Sequence, residues 1–224
     1  MTSTTLFRSA SISLVAGGLL CIAAHLMHPA CPTGPDDLSA YAHRSQPTHL
    51  LLFFGVLFVI MGLPGILIRQ RSRAGLLGFI SIHLLIFGLL FGEALHSILE
   101  FSILPLLVRS FPYATISLAN SIYHSTPLGL LQNAGYTLYL LGCPLLAITT
   151  LRSKILPEWA AFPLCMTTAI NFAVFLAPFR DLAYKAFPLA FYVSICVLGS
   201  ALWISTRPSF AFYNMPSSSL DGAD

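Results

Sequence analysis

Charge is what this chain has least of. Only 8% of its 224 residues are Asp, Glu, Lys or Arg, where a soluble domain carries about a quarter. That excludes a conventional water-facing surface. The scarcity is uneven: between Asp37 and Glu158 the only acidic residues are Glu93 and Glu100. There is no dense run of Lys or Arg and the net charge is only +3, which excludes nucleic acid as a partner. The five cysteines form no Cys-x-x-Cys pair. Cys21, Cys143, Cys165 and Cys196 lie in apolar runs and read as small packing residues, while Cys31 sits in a loop. Also missing are a Walker-type phosphate loop, a Gly-x-Ser-x-Gly elbow and a His-Glu-x-x-His pair. Their absence removes the commonest soluble-enzyme signatures and says little against a membrane enzyme.

What is present is apolar. Hydrophobic residues make up 56% of the chain, and mean hydropathy is +0.81. Lipid is the solvent for most of such a chain, organised as one membrane domain. The apolar runs predict an all-α bundle of six transmembrane helices, about 11–28, 48–68, 75–100, 129–151, 159–178 and 186–206. The first run is read as a retained helix, with a cleaved signal as the alternative. Pro29, Pro32 and Pro35 end it and open a loop over 29–47. Arg69-Gln70-Arg71-Ser72-Arg73 forms the next loop. The third run continues to Leu107, longer than one span of about 20 residues, so a kink or break is expected at Pro105. An interfacial or shallow re-entrant segment is expected over 109–126, and a disordered cytoplasmic tail over 207–224.

Positive charge sets the orientation. With Arg69, Arg71 and Arg73 inside, alternation through six helices also places Arg8, Arg152, Lys154 and Arg207 inside. Arg44, Arg109, Arg180 and Lys185 fall outside. Both termini are then cytoplasmic, and Trp159 and Trp203 lie at cytoplasmic helix ends, as an aromatic belt requires.

This topology brings ionisable residues to one outer layer. The first helix ends in His25-Leu26-Met27-His28, the second opens with His49, and the third ends with Glu93, His96 and Glu100. Ionisable groups at membrane depth are costly, so they face a protein interior and mark a site. At about 100° per residue, positions 93, 96, 97 and 100 share one stripe. A Glu-x-x-His step suits carboxylate-bridged di-metal bundles, but no second such helix exists, so a mononuclear zinc or iron site fits better. The candidate metal ligands are His25, His28, His49, His96 and Glu100. Glu93 is the candidate general base, about two turns deeper than Glu100. Gln132, Asn133, Tyr136, Asn171 and Arg180, with Tyr192, are candidate ligand-binding or supporting residues at the same level. The plain alternative is a set of helix-end polar residues, with Glu93 in a structural ion pair. A haem between His96 and one of His25, His28 or His49 ranks behind zinc and iron. His83, about 220° around the helix from His96, is expected to bond to a neighbouring helix. Gly17, Gly18, Gly88, Gly92, Gly142 and Gly199 read as close helix contacts.

The stretch from His49 to Pro105 resembles a group of uncharacterised multi-pass bacterial membrane proteins. The likeness is carried by His49-Leu50-Leu51, Gly62-Leu63-Pro64-Gly65, Arg69-Gln70, Ala74-Gly75-Leu76-Leu77-Gly78-Phe79, and Glu100 followed by Pro105. The joint Leu151-Arg152-Ser153-Lys154-Ile155-Leu156-Pro157-Glu158-Trp159-Ala160 is similar to one common in such families. The resemblance implies a bundle of six to seven helices in a bacterial inner membrane, and no activity. Three functions are then expected in turn. The first is binding of a small ligand or ion in an outward-facing pocket. The second is a metal-dependent membrane hydrolase or oxidoreductase. The third is an accessory subunit of a membrane complex. The small-residue faces would also serve a homo-oligomer.

Overall fold

The computed structural model describes residues 2–30, 35–111, 113–115, 117–118, 121, 126–173 and 180–207, with the backbone alone at 35–36 and 180–185. The described residues form helices and short connections, with no strand among them. The order is α1 (Ser3–Met27), α2 (Pro35–Gly88), a π-helical stretch (Leu89–Ala94), α3 (Leu95–Ile98), a second π-helical stretch (Leu99–Ile103), α4 (Leu104–Ser110), α5 (Pro127–Ser153), a 3-10 turn (Glu158–Ala161), α6 (Phe162–Ala173) and α7 (Arg180–Ile204). Four helical stretches are long and apolar enough to cross a membrane: Ser3–Met27, Asp37–Ser110, Pro127–Ser153 and Ala186–Ile204.

Local chemistry explains the helix ends. Thr2 caps α1, its side chain accepting from the Thr5 N–H at 3.2 Å. Thr126 caps α5 in the same way through the Gly129 N–H at 3.3 Å, with Pro127 opening the first turn. Lys154 ends α5 in the left-handed conformation, φ 51°. The 74-residue stretch is two helical arms meeting at Gly75, whose φ of 55° and ψ of −152° are not helical. Such a conformation is nearly restricted to glycine.

Several expected boundaries are corrected. Residues 35–47, expected as loop, are helical, because Pro35 falls in a first turn where its missing N–H costs nothing. The helix expected over about 48–68 therefore begins at Pro35. The Arg69–Arg73 stretch also stays helical, and the chain breaks at Gly75 instead. No break occurs at Pro105: the helix runs on to Ser110, with Pro105 in the first turn of α4 directly after a π-helical stretch. The helix expected from 186 starts at Arg180. Much of the segment 109–126, the end of the fifth expected helix after 173, Cys31 and the tail from 208 lie outside the described residues.

Helix contacts define two ends of the bundle. At one end the Arg8 guanidinium lies over Trp203, 5.2 Å from the ring centre. Arg69 lies over Phe7 at 5.4 Å and donates to the Ser205 carbonyl at 2.8 Å. Gln70 donates to the Thr150 hydroxyl at 3.3 Å. This end thus gathers the start of α1, the end of the first arm of α2, and the ends of α5 and α7. The opposite end holds the His-rich layer. Between them the interior is filled by Leu14, Val56, Leu63, Leu85, Leu146 and Leu198, all fully buried. Large apolar side chains such as Leu19, Phe54, Met61, Leu141 and Met166 instead cover the outer surface. A water-soluble bundle would bury such residues, whereas in lipid they face the solvent.

The predicted glycine contacts are all present. A side chain at Gly17 would meet Gly55 and Val59, at Gly18 Cys196, at Gly88 Tyr139, at Gly142 Leu85, and at Gly199 Leu14 and Val15. The tightest approach joins Gly92 to Gly135 of α5, where a Cβ on Gly135 would overlap the Gly92 backbone nitrogen. Helices this close need small residues on both faces. The contact fixes α5 beside the stretch that carries Glu93, His96 and Glu100.

Candidate functional site

The polar residues come from three chain segments, joined by Gln132 of α5. His28 follows the last turn of α1. Tyr41, Ser45 and His49 rise through the first turns of α2. Glu93, His96 and Glu100 lie on the helical run 76–110. Glu93 and Glu100 each fall within a π-helical stretch, and His96 lies in the short α3 between them. A π turn adds a residue and re-aims the side chains beyond it, and such turns are frequent at functional sites. Of the stripe expected from a uniform 100° step, Glu93, Ser97 and Glu100 are buried and His96 is partly buried.

His28, His49 and His96 are brought together. The rings of His28 and His49 meet edge to face with centroids 4.9 Å apart, and those of His49 and His96 at 5.2 Å. Tyr41 stands at the edge of His28, 6.4 Å away. Ser45 ties the layer to the carboxylate, its hydroxyl donating to Glu100 Oε2 at 3.1 Å, with Tyr41 reaching the same oxygen at 3.5 Å. Gln132 of α5 donates from Nε2 to His96 Nδ1 at 3.1 Å. Ser45 and His49 are fully buried, and Gln132 and Glu100 nearly so.

The hydrogen bonds assign the ring tautomers. His49 Nδ1 lies 3.0 Å from the Ser45 carbonyl, which can only accept, so Nδ1 carries the proton. His28 Nδ1 likewise donates to the Pro29 carbonyl at 2.8 Å. Both Nε2 atoms then present lone pairs. His96 is the reverse, because its Nδ1 accepts from the Gln132 amide. His49 Nε2 and Gln132 Oε1 are buried and have no partner. The layer is therefore rich in acceptors: two imidazole lone pairs, one amide oxygen and the Glu100 carboxylate. An orphaned buried acceptor costs about 1–3 kcal/mol, so the pattern calls for a ligand with hydrogens or positive charge to offer.

The remaining predicted residues are placed differently. His25 stacks on Tyr192, centroids 5.5 Å apart, with Nε2 buried and unpartnered, and stays within electrostatic reach of His28, His49 and His96. Glu93 is buried and makes no hydrogen bond to the histidines; it lies within electrostatic reach of Cys21, Tyr139 and Tyr192. Asn133 is exposed. Tyr136 packs on Gly92. Asn171 donates to the Leu140 carbonyl at 3.3 Å. The Arg180 side chain lies outside the described residues. His83 bonds to Phe79 on its own helix, at 2.8 Å, rather than to a neighbouring one. Among the described residues no group of three or more His, Cys, Asp or Glu side chains is arranged to hold a metal ion.

Sequence reasoning missed Ser45, Tyr41 and Tyr139. Ser45 stands four residues before His49, the spacing of helical neighbours. That signal was hidden because 29–47 read as a loop. The chain matches no protein-family model, no curated protein and no solved structure.

Proposed function

We propose that this protein is a six-span inner-membrane protein of a bacterium that binds a small cation in an outward-facing pocket. The observation that carries the reading is the acceptor-rich layer at His28, His49, Gln132 and Glu100, with His49 Nε2 and Gln132 Oε1 both buried and unpartnered. A protonated amine or a metal ion supplies what these atoms lack. Six spans follow from counting the two arms of α2 separately and from giving α6 a span of its own. With the arginine-bearing end in the cytoplasm, both termini are cytoplasmic and the histidine layer faces outward. The bilayer surrounds the bundle, and a second copy or a partner subunit would pack on its exposed apolar outer surface.

A second reading is a zinc- or iron-dependent hydrolase or oxidoreductase. It is favoured by the way Nδ1 of His28 and His49 is held by backbone carbonyls, the arrangement that orients metal-binding imidazoles. Calorimetric titration of the purified protein with zinc, ferrous iron and methylammonium separates the two. The first reading expects saturable binding of one of the three, lost in His49→Phe. Metal bound at one equivalent in the protein as isolated, and released by His96→Ala, favours the enzyme. No binding of any of the three contradicts both readings, and a large partner retained in mild detergent then favours an accessory subunit.

A further inference from the structure

The arginine-bearing end of the bundle holds more positive charge than its own contacts use. Arg8 lies over Trp203, and Arg69 lies over Phe7 and donates to the Ser205 carbonyl. Arg71, Arg73, Arg152 and Lys154 are exposed, and none makes an ion pair or side-chain hydrogen bond with another described residue. Glu158, itself exposed, is the only acid in the two segments that carry them, 69–76 and 151–159.

Buried contacts bring the four cations together. Gln70, next to Arg71, donates to the Thr150 hydroxyl at 3.3 Å, two residues before Arg152. Ser153 donates back to the Thr150 carbonyl at 3.2 Å. A Cβ on Gly78 would lie 3.1 Å from the Thr149 methyl group. Gln70, Thr149, Thr150 and Ser153 are all buried. The end of the first arm of α2 is thereby fixed beside the end of α5, and each end carries two exposed cations. Two backbone features sharpen the cluster. Gly75 breaks the helix just after Arg73, and a Cβ there would meet nothing within 4 Å, so open space adjoins the arginines. Lys154 holds φ 51°, a left-handed conformation that glycine usually fills at a helix end. A lysine at this position adds charge where glycine would fit the backbone better. The rim is apolar: Leu76 is 73% exposed, Phe162 67% and Trp159 45%. Cations beside exposed apolar side chains match a molecule with an anionic head and hydrocarbon tails. Tryptophan also favours the headgroup level of a bilayer.

We propose that Arg71, Arg73, Arg152 and Lys154 form a binding site for the phosphate of an anionic phospholipid, whose chains lie along Leu76 and Trp159. Guanidinium and ammonium groups hold phosphate by charge-assisted hydrogen bonds. The site is at the opposite end from the histidine layer and does not depend on what that layer binds.

The test is thermal unfolding of the full chain in detergent, titrated with phosphatidylglycerol or with phosphatidylcholine of the same acyl chains. Glycerol phosphate and inorganic phosphate offer the anion without the chains. The expected result is a saturable rise in Tm with phosphatidylglycerol, and none with phosphatidylcholine or the soluble phosphates at equal concentration. Arg152→Gln with Lys154→Gly should raise the lipid concentration for half the effect by about tenfold or more. Glycine suits the left-handed backbone at position 154, so this pair keeps the fold. Arg71→Gln with Arg73→Gln should act in the same direction from the other helix. Arg44→Gln with Arg109→Gln removes two charges from the opposite end and should leave the response unchanged. Equal responses to the two phospholipids, or to phosphatidylglycerol and inorganic phosphate, overturn the proposal. So does an equal loss in the opposite-end pair, which marks net charge rather than a site. A fall in Tm common to both lipids, with the phosphatidylglycerol response kept, marks helix-end stabilisation alone and also overturns it.

Discussion

Ser45 holds more of the histidine layer than any residue singled out for its chemistry. Its hydroxyl donates to Glu100 at 3.1 Å and lies 2.8 Å from His49 Nδ1, while its carbonyl fixes the His49 tautomer. Ser45→Ala removes the hydroxyl and leaves the carbonyl. Glu100 and His49 then lose a shared partner without losing their backbone positions. Cation affinity at this layer should fall about tenfold, as when a residue supporting a metal ligand is removed, and stability should fall by about 1 kcal/mol. Calorimetry and thermal unfolding read the two effects separately. The histidines themselves were legible in the sequence, because loop charges alone put His28, His49 and His96 at one level. Ser45 was not, since a stretch beginning with Pro35 and carrying Pro47 does not look helical. The same holds for Tyr139: a tyrosine in an apolar run looks like packing until its hydroxyl is found buried without a hydrogen-bond partner.

At the scale of elements, the site depends on how closely the helical run 76–110 meets α5. Gly135 sits against the backbone of Phe91 and Gly92, and backbone cannot give way as a flexible side chain can. Gly135→Ala should therefore push α5 outward and cost about 1–3 kcal/mol, in line with other over-packed interiors. The His96–Gln132 hydrogen bond should lengthen with it, so cation binding and thermal stability should fall together. A stable variant with unchanged binding would show that this contact does not position the layer. The close approach was visible in the sequence as glycines spaced along two helices. The π-helical stretches were not, because nothing in the apolar pattern marks a turn that takes one extra residue. Among the described residues, His96 bonds to Gln132 and meets His49, while Glu93 sits buried in the first of these stretches.

At the scale of the molecule, the two ends of the bundle have opposite chemistry. One gathers Arg8, Arg69 and Trp203, the other the histidines and Glu100. The sequence carried this polarity through its charges, although it misplaced the helix ends. Arginine is a good helix former, so the 69–73 stretch leaves the apolar core without leaving the helix, and only Gly75 breaks it. Reporter fusions check the orientation. A fluorescent protein joined after Arg207 should fold and fluoresce in the cytoplasm, and alkaline phosphatase inserted at Gly75 should be inactive. An active phosphatase there would invert the topology and turn the histidine layer inward.

The tautomers at His28 and His49 leave both Nε2 atoms as lone-pair donors for a cation. Nitrogen-15 NMR of histidine-labelled full-length protein addresses it directly. Both rings should carry their proton on Nδ1, and adding the cation found by calorimetry should move the two Nε2 signals while His83 stays fixed. Protons on Nε2 in both rings, or Nε2 signals unmoved at saturating cation, would contradict it.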